Sequence, residues 1–130
     1  DHLGICPSTT FVPDRWSRPR FDKEPIPPPS YPRILDLARH PNVHVKVSGE
    51  YAFSKEPYPY ADLRPMVEQI YCAFSAERMM WCSDFPWIVD EPGYRKLVAL
   101  LDCHLPHLSE EERAQITGDT ATDVWFRDRP

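Results

Sequence analysis

Asp84 stands in the stretch Trp81-Cys82-Ser83-Asp84-Phe85-Pro86, directly behind a short apolar run. A carboxylate there must be paired, solvated or metal-bound, because burying a bare charge costs several kcal/mol. By residue type alone, an aspartate that caps a helix or closes a turn accounts for it as well. Strand parity puts Met80, Cys82 and Asp84 on one face and Met79, Trp81 and Ser83 on the other. His2, just before Gly4, is open to three readings: metal ligand, general acid/base or plain core residue. Lys46 and Ser48 share a strand face and could touch a substrate anion; a lysine paired inside the fold and a serine that ends its strand look the same in sequence. Trp87, in the loop after Asp84, joins them as a candidate substrate-binding residue. The other histidines have weaker claims. His40 precedes a Pro-Asn turn, His104 and His107 flank Pro106 near a helix end where a cation suits the helix dipole, and His44 shares the polar strand face with Lys46.

Other chemistry has little support. With four glycines in 130 residues there is no phosphate-binding glycine loop, and no G-x-S-x-G elbow occurs. A formal net charge of −5 argues against nucleic acid, and no apolar run nears the roughly 20 residues that cross a bilayer. Cys6, Cys72, Cys82 and Cys103 form no C-x-x-C pair. Their irregular spacing predicts reduced, buried thiols in a cytoplasmic protein rather than a disulfide framework.

The elements that must position these residues follow from proline, periodicity and caps. Eight of sixteen prolines lie at or before position 32, so residues 5–29 read as one long loop, packed through Phe11, Trp16 and Phe21. Ser30 as N-cap and Pro32 in the first turn predict a helix that His40-Pro41-Asn42 ends. Residues 43–48 alternate as a strand, with Val43, Val45 and Val47 on one face. Residues 50–60 read as a second loop. Leu63, Met66, Val67, Ile70 and Phe74 stripe a helix over 62–74, and residues 79–83 make a second strand followed by a loop over 85–92. Tyr94, Leu97, Val98 and Leu101 stripe a further helix to His104; Ser109 and Glu112 form a capping box for a helix to Ile116; a last helix spans 120–126. Strand-loop-helix order with these spacings predicts a parallel α/β fold whose long loops gather at the C-terminal ends of the strands, where such folds place their sites.

Three stretches together resemble the C-terminal third to half of the amidohydrolase-related family, the metal-dependent hydrolases of the TIM-barrel fold. They are Asp1-His2-Leu3-Gly4, Leu37 to Gly49 with its core Val43-His44-Val45-Lys46-Val47-Ser48-Gly49, and Arg78 to Pro86. The resemblance implies an α/β chain of about three βα units, the C-terminal portion of a (β/α)8 barrel. In that reading residues 1–130 run from the end of strand six to the closing helices, and 5–29 form a proline-rich active-site loop. It implies that His2 and Asp84 are catalytic and metal residues, with a divalent metal, zinc first among candidates, although the family includes metal-independent lactonases. It implies a small organic acid, lactone or amide as substrate, with no nucleic acid or membrane partner and with homo-oligomerisation open. The alternatives are a metal-dependent decarboxylase of an aromatic or unsaturated acid, or a non-catalytic truncated remnant.

Two departures stand out. Cys82 occupies the position before Ser-Asp where the family commonly has glycine, and the family's H-x-H pair and strand-five histidine have no counterpart in the chain. A complete barrel needs roughly 200 or more residues. The chain is therefore expected to be a partial barrel, a processed product or piece of something longer, and inactive by itself.

Overall fold

The computed structural model describes residues 2–4, 20, 21 and 23–127. Most of the expected loop over 5–29 lies outside them; the described part of it holds turns and no regular element. The first helix, α1 (Tyr31–Asp36), has its proline in the first turn and continues as a 3-10 turn, Leu37–Arg39. His40 is extended before Pro41, as the proline rule requires. Ser30 precedes α1 but its side chain makes no cap bond. The buried Tyr31 hydroxyl donates to the Met66 carbonyl at 2.5 Å, which fastens α1 to the helix behind it.

Strands β1 (Val45–Val47) and β2 (Met79–Trp81) pair in parallel, with Val45 opposite Met79 and Val47 opposite Trp81. Cys82 N donates to the Val47 carbonyl at 3.0 Å, one rung beyond the strands. Both are shorter than their alternation suggests, and local backbone geometry explains it. A turn returns Val43 N to the His40 carbonyl before β1, and Gly49 enters the left-handed region (φ 80°) after it. Asp84 does the same beyond β2 (φ 56°). Residues 50–60 are not wholly loop: a one-turn helix, α2 (Glu50–Phe53), starts at Gly49, and all four of its residues are buried. Its strong β-formers concealed it, since tertiary burial overrides weak propensity.

Helix α3 (Arg64–Phe74) buries Met66, Val67, Ile70 and Phe74, the stripe expected of it, and carries the chain back for the parallel β2. Arg78, in the turn between them, donates from Nη1 to the Ala38 and His40 carbonyls at 2.8 and 3.1 Å and from Nη2 to Ala73 at 3.2 Å. With Nε on the Phe74 carbonyl at 3.1 Å, one guanidinium serves four carbonyls at two helix ends, that of the Leu37–Arg39 turn and that of α3.

Helix α4 (Tyr94–His104) buries Leu97, Leu100 and Leu101. Tyr94 is exposed, its ring edge-on to Trp81. The capping box at Ser109 and Glu112 forms as expected and opens α5 (Glu110–Ala114). A π-helical turn, Gln115–Asp119, joins it to α6 (Thr120–Phe126). The buried Thr120 hydroxyl reaches the Ala76 and Glu77 carbonyls at 3.3 and 3.2 Å, which seats α6 at the start of β2. Among the described residues no helix is long and apolar enough to cross a membrane. The expectation of buried thiols is corrected: Cys72 and Cys103 are exposed on α3 and α4, Cys82 is half-buried, all three are free, and Cys6 lies outside the described residues.

Candidate active site

The site is built at the C-terminal ends of the two strands. Gly49 ends the residues leading out of β1 with a φ of 80°, and a Cβ there would come within 2.8 Å of His2 Nδ1. Glycine is needed twice over, for the backbone and for the imidazole lying on it. The His2 Nδ1 shares a 3.0 Å hydrogen bond with the buried Ser48 hydroxyl. With Nδ1 so engaged, Nε2 is the nitrogen turned outward.

That nitrogen faces Asp84. His2 Nε2 and Asp84 Oδ1 are 3.9 Å apart, with side chains 40% and 21% exposed. The other carboxylate oxygen, Oδ2, accepts a 2.6 Å hydrogen bond from the Tyr51 hydroxyl on α2. The two oxygens therefore have different tasks: Oδ2 is held by protein, and Oδ1 opens toward His2. The left-handed backbone at Asp84, uncommon for a non-glycine residue, aims the carboxylate off the strand. Parity alone could not have placed it, because regular alternation stops at Trp81.

Behind this pair lies Glu50, 3% exposed, at the first position of α2. Its Oε2 has no hydrogen-bond partner among the described residues. Burial pushes its carboxyl up to about 7, and the nearby Asp84 adds to the rise. The half-buried Cys82 thiol is also pushed up, mainly by burial, with Lys46 opposing.

The remaining sequence candidates divide. Ser48 contacts the site, by holding His2. The Lys46 ammonium lies 5.6 Å from the centre of the Trp125 ring on α6. Trp87 packs against the core, and its backbone N–H donates to the Asp84 carbonyl at 3.1 Å, closing the turn that carries the carboxylate. His40 and His44 sit at the exposed turn before β1, His44 beside the Asn42 carbonyl. His107 lies edge-on to Tyr71. His104 departs from the expected dipole-facing cation: it is buried, bonded to the Pro59 carbonyl at 2.8 Å, and its proton affinity is lowered chiefly by burial.

Sequence reasoning missed Glu50 and Tyr51 as site residues, having assigned them to a loop. The available signal was an acidic-aromatic pair placed immediately after the glycine that ends a strand.

His2 and Asp84 suit a shared cation. Ligands of one zinc each lie ~2.0–2.2 Å from it, so a nitrogen and an oxygen 3.9 Å apart span a single ion. Among the described residues no group of three histidine, cysteine, aspartate or glutamate side chains is placed to hold a metal. The described part thus brings two donor side chains together, where a catalytic zinc usually draws on three.

Known proteins share this arrangement of elements. Over 104 residues the chain is 33% identical to L-fucono-1,5-lactonase of Burkholderia ambifaria, a match covering 75% of the chain and 35% of that protein. A crystal structure from Pseudomonas putida, described as a candidate 2-pyrone-4,6-dicarboxylic acid hydrolase, superposes with a TM-score of 0.62 at 28% identity, covering 74% of this chain and 36% of that one. A zinc-bound amidohydrolase from Burkholderia multivorans superposes with a TM-score of 0.64 at 23% identity, covering 72% and 35%. The chain spans about a third of the length of each of these relatives. The sequence profile of the amidohydrolase family matches residues 6–127. With nearly its whole length inside that profile, the chain belongs to the amidohydrolase family.

Proposed function

We propose that this chain is the C-terminal part of a (β/α)8 barrel hydrolase that opens a small lactone of an organic acid. The observation that carries the reading is the convergence of His2 Nε2 and Asp84 Oδ1 to 3.9 Å at one end of a parallel sheet. The lactone class is supported by the L-fucono-1,5-lactonase relative and by the candidate 2-pyrone-4,6-dicarboxylic acid hydrolase, whose pyrone is itself a cyclic ester.

In this reading Asp84 Oδ1 accepts the proton of the attacking water. Tyr51 keeps Oδ2 occupied, so the basic oxygen is defined before substrate arrives. Ser48 fixes the His2 ring so that Nε2 points at the same space. His2 and Asp84 would hold a divalent ion, zinc by the nitrogen and oxygen donor set, together with ligands from elsewhere in the protein; such an ion lowers the pKa of bound water and polarises a carbonyl. Incubating the full-length protein with L-fucono-1,5-lactone and with 2-pyrone-4,6-dicarboxylate, and following acid release, tests this. Release from at least one is expected; no release from either, in metal-replete protein, contradicts the lactone assignment.

A further inference from the structure

Two residues outside this mechanism tie the site to the chain segment before α1. Arg20 donates from Nη1 to the Tyr51 carbonyl at 2.7 Å, and its Nη2 lies 3.5 Å from Glu91 Oε2 in the loop after Asp84. Phe21 N donates to the Ala52 carbonyl at 2.6 Å, and its ring stacks on Phe53 with centroids 5.1 Å apart. Three of these contacts therefore fall on α2. A single helical turn is not stable by itself, because nucleation costs more than one or two internal bonds return. At the two ends of α2, Ala52 N donates to the Gly49 carbonyl and Ser54 N to the Glu50 carbonyl, which is little for a four-residue turn. Its position must come from outside. Tyr51 is the junction: Arg20 holds its carbonyl, and its hydroxyl holds Asp84.

We propose that Arg20 and Phe21 are positioning residues that lock α2 in place and so determine, through Tyr51, which oxygen of Asp84 faces the reacting group. The inference rests on reading Asp84 as the reacting carboxylate. The Arg20–Glu91 pair is half-exposed and contributes little, whereas a charged donor on the Tyr51 carbonyl is the stronger link. Arg20 has a rival role. With Ser54, Lys55, Glu56, Pro57 and Glu91 it borders an open cleft of about 520 Å³, where a guanidinium would bind a substrate anion directly.

The test is a double-mutant cycle on the full-length protein. Unfolding is measured for Arg20→Ala, Asp84→Ala and the pair, and again with Tyr51→Phe in every member; alanine at 84 removes the acceptor of the Tyr51 hydroxyl. Among the described residues no hydrogen bond or ion pair joins Arg20 to Asp84, so a local structural role for Arg20 predicts additive losses. The proposal predicts a coupling of roughly fivefold in the unfolding constant, abolished by Tyr51→Phe. Additive losses overturn it. If Arg20→Ala does not fold, Arg20→Lys takes its place, with a smaller coupling expected and its absence again overturning the proposal. In turnover of any lactone that the wild type hydrolyses, Arg20→Ala should lower kcat about tenfold with KM within twofold. A raised KM at unchanged kcat overturns positioning in favour of direct anion binding. Should the wild type turn over no lactone, the functional reading fails, and the unfolding cycle still decides the role of Arg20.

Discussion

The Tyr51 hydroxyl donates to Asp84 Oδ2 at 2.6 Å, joining residues 33 positions apart that leave the ends of two neighbouring strands. This bond splits the carboxylate into a held oxygen and an open one. It also makes α2, a single turn, part of the site rather than part of a connecting loop.

Asp84→Asn in the full-length protein should reduce kcat by about 10²–10⁴-fold, the usual contribution of a positioned base. The amide keeps the shape and can still accept from Tyr51, so the thermal midpoint should move by only a few degrees. Near-wild-type turnover would remove Asp84 from the proton-transfer role.

Gly49→Ala should destabilise the protein by about 1–3 kcal/mol, because alanine is strained at a φ of 80° and its methyl meets the His2 ring. Turnover should fall with stability, since the imidazole must move off its perch. Thermal unfolding together with kcat checks both; an unchanged midpoint would mean that the His2 ring does not lie on Gly49.

Glu50 gives a pH dependence of definite sign. Its folded carboxyl is pushed up to about 7 from 4.5, so the folded state binds the extra proton between those values. Its contribution is fully present below pH 4.5 and is lost as pH rises through 7. Asp84 and Cys82, from the residues after β2, are the groups that its charge senses. Glu50→Gln should therefore raise stability at pH 8, by up to about 3 kcal/mol, and leave it near wild type at pH 4.5. Denaturant midpoints across this range test it; a variant less stable than wild type at pH 8 would contradict a burial penalty.

His104 gives the opposite slope. Its proton affinity is lowered by burial, so the unfolded state binds the proton more readily. Stability from this residue is complete above pH 6.5 and is lost as pH falls below it. Asp62 and Arg64 are its charged neighbours and act in opposite directions. His104→Gln should flatten the acid side of the stability profile. An unchanged slope in that variant would place the acid sensitivity elsewhere.

Much of this arrangement was legible without coordinates. The proline-limited entry to α1, the apolar stripe of α3 and the capping box of α5 follow from local rules that depend on neighbours three or four residues away. The alternation around Val45 and Val47 located a strand, and Asp84 stood out as a carboxylate ending an apolar run. Less was legible where a contact spans many residues. Nothing local distinguishes an exposed from a buried His104, or a loop from the turn that holds Tyr51.

The sequence by itself determined the parallel α/β order, because periodicity and caps are properties of short segments; its resemblance to the amidohydrolase-related family, carried by three short stretches, implied the family and named His2 and Asp84 as the residues to watch. The tertiary structure alone decided which Asp84 oxygen is open, that Ser48 orients His2, and that Glu50 and Tyr51 stand in the site. Those facts depend on left-handed backbone at Gly49 and Asp84 and on bonds between residues 33 and 46 positions apart, which no local rule encodes.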